Sequence, residues 1–348
     1  MNGCHRKKQD NNTKFNTMTQ GNIEKLEPLY LAPSPTIRIQ GEKVYRIDVA
    51  GLRHYIREKN GQTYKSLTTF LSAVMPKNRF LQSWREEMAA DLGSPEKLDE
   101  WMEKVADYGT ALHIAVADYC RNGYVNWYDF EDWAYNYLTG AGLKAGTLQT
   151  AVRELTKDFA GILQFFYDYD VRVIAVEIPV FISAGVATLV DLVVEMDEKN
   201  YQATPPEKRK RISAIINLKS GKSGSSFEDH ILQLVGERWA FNETYNQSIV
   251  NVFNLSPSNW KETPSYKLTN HTKTVDEKNY VDQFQMYLQL AKARGVLSEP
   301  TKTFPMFTGV TEYGENPTNA LTLRSYNEFA RERISTYEKE LTKDSTII

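Results

Sequence analysis

Ile215-Ile216-Asn217-Leu218-Lys219-Ser220-Gly221-Lys222 is an apolar run that ends in a polar pair and a small, basic turn. Residues 212–218 read as a β-strand, and a strand's period of two puts Asn217 and Lys219 on one face. Upstream, Thr188-Leu189-Val190-Asp191-Leu192-Val193-Val194 forms part of a second apolar strand over 186–196, interrupted by a single carboxylate. A carboxylate in such a run needs a partner if it is buried. Residues 171–180 give a third strand. The connection before residue 212 is polar, with Pro205-Pro206 and the basic run Lys208-Arg209-Lys210-Arg211. The last two strands therefore read as a hairpin with an enlarged, solvated loop.

Helical signals surround these strands. Ser66 is a candidate N-cap for a helix that Pro76 ends. Residues 80–91, carrying Trp84, and 95–107 read as two further helices. Gly109 and Thr110 open a helix over 111–121, which Gly123 closes. Residues 147–170 form a long helix with Phe159, Ile162, Leu163 and Phe166 inward. A helix over 227–245, strands at 249–255 and 265–268, and helices at 280–294 and 324–340 follow. Nearer the start, 44–49 reads as a strand and the Tyr55 region as a helix. The order implies an α/β fold: a mixed central β-sheet flanked by helices, with an N-terminal helical lobe. The expected division is a disordered polar tail at 1–25, the lobe at 26–108, and the core with its C-terminal helices at 109–345.

Bulk composition narrows the classes. The chain has 348 residues and a net charge of −2, so it is not a basic nucleic-acid coat, although a local basic groove is compatible with that average. Two cysteines, Cys4 and Cys120, are too few for a disulfide framework or a four-cysteine iron–sulfur cluster. With a polar start lacking an apolar leader core and no membrane-length apolar run, the expectation is a cytoplasmic protein without a membrane partner.

In chain order the chemistry-bearing residues are Gly109-Thr110-x-x-His113, Glu177, Asp191, Asn217-x-Lys219 and Gln233. This series resembles the PD-(D/E)XK nuclease superfamily in its RecB-like exonuclease branch, and within it the mitochondrial genome maintenance exonucleases and their phage relatives. Tyr64-Lys65-Ser66-Leu67-Thr68, Pro76, Phe80 and Trp84 extend the likeness upstream, so it spans roughly residues 64–294. The resemblance implies a restriction-endonuclease-like core and a metal-dependent exonuclease of DNA ends or single strands, in a bacterial or phage-infected cell. It assigns Asp191 and His113 as ligands of Mg²⁺ or Mn²⁺, Asn217 to the second carboxylate slot, and the Leu218 carbonyl as a further oxygen. It makes Glu177 a residue of the metal's water shell, Lys219 the group that orients water and stabilises developing charge, and Gln233 a brace. The chemistry is consistent, because phosphodiester hydrolysis needs a hard divalent cation with oxygen ligands and a positive charge at the phosphate. Lys222 and Ser223 are placed to meet phosphate, and Trp84 to stack on bases.

Each residue also has a plainer reading. His113 fits a hydrogen-bonded core histidine, Glu177 a strand-edge glutamate, Lys219 an exposed strand-end lysine, and Trp84 core packing. Three positions depart from the family's pattern: Asn217 replaces Asp or Glu, Thr188 replaces a glycine, and Glu237 replaces a tyrosine four residues after Gln233. Asn217 keeps one oxygen donor but loses a charge and gains an NH₂ that cannot ligate. Three accounts of it stand: an engineered substitution that silences a working site, which the otherwise intact surroundings favour; a natural protein that binds nucleic acid in a replication or recombination assembly without cleaving it; or a one-carboxylate site that favours Mn²⁺.

Overall fold

The computed structural model describes residues 37–297, apart from breaks at 40, 43, 50–51, 58–61, 77–78, 202, 222–227 and 278, together with residues 310–313. The expected tail at 1–25, Lys222, Ser223 and the helix at 324–340 lie outside the described residues. The strands are β1 (Val44–Val49), β2 (Leu52–Arg57), β3 (Thr63–Ser66), β4 (Arg172–Ile182), β5 (Val186–Asp197), β6 (Arg211–Leu218), β7 (Asn251–Pro257), β8 (Tyr266–Asn270) and β9 (Val310–Tyr313). The helices are α1 (Leu67–Val74), α2 (Arg79–Leu92), α3 (Pro95–Asn122), α4 (Trp127–Gly140), α5 (Ala145–Asp168), α6 (Glu228–Tyr245), α7 (Thr272–Glu277) and α8 (Tyr280–Ala293).

The fold is α/β, with a mixed sheet flanked by helices. Strand order is β8-β7-β6-β5-β3-β2-β1-β9, and β4 pairs with the other edge of β5. The β3–β5 and β6–β7 pairs are parallel and the others antiparallel. One helical layer, α3, α4 and α5, covers Leu192, Val194, Ala214, Ile216 and Leu218. The opposite layer, α1, α6 and α8, covers Ile178, Val190, Val193 and Ile215. The alternation of β6 explains this: 214, 216 and 218 face one layer, and 215 faces the other.

The sheet opens at its centre. Along a single edge, β5 pairs with β3 at Val186 and Ala187, and with β6 from Leu192 onward. Asp191 lies in the interval between these two ladders. The inward faces also change phase there. Val186 and Val190 belong to the α6 side, whereas Leu192, Val194 and Met196 belong to the α3 side. On β4 the same exchange separates Val176 from Ile178, across Glu177, whose φ is +46°. A left-handed residue inside a strand is a local distortion for any side chain but glycine. Glu177 and Asp191 thus stand opposite each other where both strands switch faces.

Three expectations change. The helices expected at 95–107 and 111–121 are one helix, α3, which runs through Gly109 and across the boundary expected at 108/109. Ser94 caps its start, with Pro95 at the first helical position, and Gly123 at φ 72° closes it. Residues 52–57 form strand β2, because their backbone completes an antiparallel ladder between β1 and β3. The N-terminal segment therefore supplies strands to the common sheet as well as helices. A further helix, α4, fills the stretch between Gly123 and α5.

Candidate metal centre

The site forms where the opened sheet meets one helix from each layer. α3 passes close to the turn after β6, since a Cβ on Gly109 would lie 3.1 Å from Ser220 Oγ. One turn on, His113 reaches the two carboxylates of the strand distortion. Its Nδ1 lies 3.1 Å from Glu177 Oε1 and 3.5 Å from Asp191 Oδ1. Each of the three residues offers a ligand atom, and these atoms all lie within 4.8 Å of one another. About a fifth of the His113 side chain is exposed (22%), while Glu177 is nearly enclosed (3%). The group therefore opens to solvent on the histidine side.

Asp191 is held on its other oxygen. The backbone N–H of Leu218 donates to Asp191 Oδ2 at 2.7 Å, which leaves Oδ1 turned toward His113. Leu218 thus meets Asp191 through its backbone N–H. The N–H is available because β6 has left β5 at this point and Leu218 has no β5 partner.

From the opposite layer, α6 presents Gln233 and Glu237, which share a face at i, i+4. They meet the two residues that β6 points the same way. Lys219 Nζ donates to Gln233 Oε1 at 3.1 Å. Asn217 Nδ2 donates to Glu237, 3.0 Å from Oε1 and 3.2 Å from Oε2. Gln233 Nε2 completes the network on Glu237 Oε1 at 2.7 Å. The two departures at 217 and 237 are therefore hydrogen-bonded to each other. Glu237 is wholly buried and Asn217 nearly so.

The electrostatics follow from this crowding. Burial alone would lower the pKa of His113, but the charge of Asp191 and the hydrogen bond and charge of Glu177 outweigh it. Against the opposing charge of Lys219, they hold the imidazole up at about 9. Without a metal, an imidazolium thus sits between the two carboxylates. Burial, then the charge of Asp191, pushes the Glu237 carboxyl up to about 8, against the pull of Lys219, Gln233 and Asn217.

Of the expected site residues, the structure brings together His113, Glu177, Asp191, Asn217, Lys219 and Gln233. Trp84 lies on α2 and packs against Trp101, with ring centroids 6.3 Å apart, in a hairpin where acidic residues outnumber basic ones. That surrounding does not suit a phosphate backbone. Arg209 stacks on Tyr201 of its own loop, and Arg211 pairs at 2.7 Å with Asp170 in the turn before β4, so these two members of the basic run brace the fold. Cys120, on the same helix as His113, is buried in the core, and burial raises its thiol pKa far above the ordinary value. The sequence reading missed Glu237 as a site residue. The available signal was its spacing of four from Gln233. No protein-family model matches the chain, and no curated protein matches it significantly.

Proposed function

We propose that this chain is a divalent-metal-dependent nuclease of the exodeoxyribonuclease type, hydrolysing phosphodiester bonds at DNA ends or in single strands. The observation that carries the reading is the convergence of ligand atoms from His113, Glu177 and Asp191 within 4.8 Å, next to a lysine held by its own glutamine. Two carboxylate oxygens suit Mg²⁺ or Mn²⁺, and the imidazole tilts the choice toward Mn²⁺. When bound, such a cation would neutralise the scissile phosphate and lower the pKa of an attacking water.

The chain's own groups supply the remaining functions. The Leu218 N–H fixes Asp191 so that one oxygen stays available. Lys219, oriented by Gln233, offers a positive charge where negative charge develops on the phosphate. His113 binds a cation only after giving up its proton. Such a role belongs with the cytoplasmic setting that the cysteine usage suggests.

The test is cleavage of end-labelled single- and double-stranded DNA with Mg²⁺, Mn²⁺ or EDTA. Asp191→Ala should abolish cleavage, and Lys219→Met should lower the rate by about 10²–10³-fold. Cleavage that survives EDTA or Asp191→Ala contradicts the proposal. Metal-dependent binding without any cleavage supports a nucleic-acid-binding protein instead.

A further inference from the structure

We infer that Glu237 is a positioning residue of this centre: it takes the NH₂ of Asn217, turns the carboxamide oxygen toward the cation, and carries on α6 the carboxylate that β6 lacks at position 217. The inference rests on the metal-binding reading above. Three observations support it.

The first is register. The last antiparallel β5–β6 pair is Leu192 with Ile216. The strands part beyond it, and Asp191 there takes the backbone N–H of Leu218, the residue after Asn217, so Asn217 stays beside the candidate ligand. The second is orientation. A carboxamide carries its oxygen and its nitrogen on opposite arms, and an acceptor such as Glu237 selects the nitrogen. With Nδ2 held by both Glu237 oxygens, Oδ1 points away from α6, and no hydrogen bond among the described residues uses it. The third is the cost of burial. A wholly buried glutamate on a helix face beside Leu234, Ala240 and Phe241 is expensive unless its oxygens are satisfied. Here the donors are Asn217 and Gln233, both residues of the site.

Relative to a site with Asp at 217, the carboxyl group thus stands on the far side of one hydrogen bond, on α6 instead of β6. An isolated Asn217→Asp change is not a repair. It removes the amide donor and sets two carboxyl groups face to face in a buried position, where one must hold a proton. This makes Asn217 an integrated part of the site rather than a lone silencing change.

The test uses the full chain and three variants: Asn217→Asp, Glu237→Gln, and both together. Thermal unfolding in EDTA should show Asn217→Asp less stable than the wild type, with much of the loss recovered when Glu237→Gln is added. Calorimetric titration with Mn²⁺ should show Glu237→Gln weakening affinity by about 10–100-fold, with recovery in the double variant. The Mn²⁺ readout separates positioning from a purely structural role, which would leave affinity unmoved. If the wild type binds Mn²⁺ and Glu237→Gln binds it equally well, the inference falls alone. The same follows if Asn217→Asp is as stable as the wild type. A wild type that takes up no Mn²⁺ removes the metal reading, and the inference with it.

Discussion

In the metal-free chain, a proton on His113 does what a cation would do between Glu177 and Asp191. That gives a stability signature with a definite sign. The imidazole pKa rises from 6.5 to about 9 on folding, so the folded chain binds this proton more tightly than the unfolded one. The resulting stability is complete below 6.5 and is lost as pH rises through about 9. Glu237, also raised, contributes in the same direction, so the comparison must isolate His113. In EDTA, the melting-temperature gap between wild type and His113→Gln should shrink from about pH 6 to about pH 10; a constant gap contradicts the account. At this scale much was readable in the sequence, because Asp191 breaks an apolar strand and Asn217 and Lys219 share a strand face. Glu237 was not, since a glutamate on a helix ordinarily reads as a solvent-facing residue. Only the partner across the layer, Asn217, gives it meaning.

Elements are held in place by a few close approaches. Gly161, in the middle of α5, faces the loop between β7 and β8, and a Cβ there would overlap the carbonyl oxygen of Ser265. Backbone cannot rotate away as a side chain can. Gly161→Ala should therefore destabilise the fold by about 1–3 kcal/mol, measured by urea unfolding; an unchanged midpoint contradicts that packing. Gly236 on α6 differs, because its neighbours at 2.7 and 2.9 Å are the flexible Leu67 methyls. The central strands were legible because β4, β5 and β6 are buried on both faces and read as apolar runs. β2 was not: Leu52-Arg53-His54-Tyr55-Ile56-Arg57 carries polar residues, and only pairing with its neighbours makes it a strand. Gly109 suggested a helix start, but in α3 it serves the close approach to Ser220. α4 buries a stripe of Trp127, Phe130, Ala134, Tyr137 and Leu138, which the exposed aromatics Tyr128 and Tyr135 on its other side obscure in the sequence.

Across the whole molecule, the opened sheet lets two helical layers contribute to one site, His113 from α3 and Gln233 with Glu237 from α6. The branch point on β5 is the structural cause, and no single segment of sequence announces it. Charge sets a second property of the whole. The chain carries a net charge of −2, and the centre gathers Glu177, Asp191 and Glu237 around Lys219 and His113. Without a cation the protonated His113 and Glu237 leave this centre close to neutral, with no surplus of positive charge to hold a phosphate. DNA affinity, followed by fluorescence anisotropy, should therefore be much weaker in EDTA than with a divalent cation. Equal affinity in both conditions would place DNA elsewhere on the surface.

The central claim is that His113, Glu177 and Asp191 jointly hold a divalent cation. Anomalous diffraction from a Mn²⁺-soaked crystal tests it most directly. The account predicts a peak among these three side chains, within about 2.0–2.6 Å of their ligand atoms. A Mn²⁺ peak elsewhere with this position empty, or no peak at millimolar Mn²⁺, would contradict it.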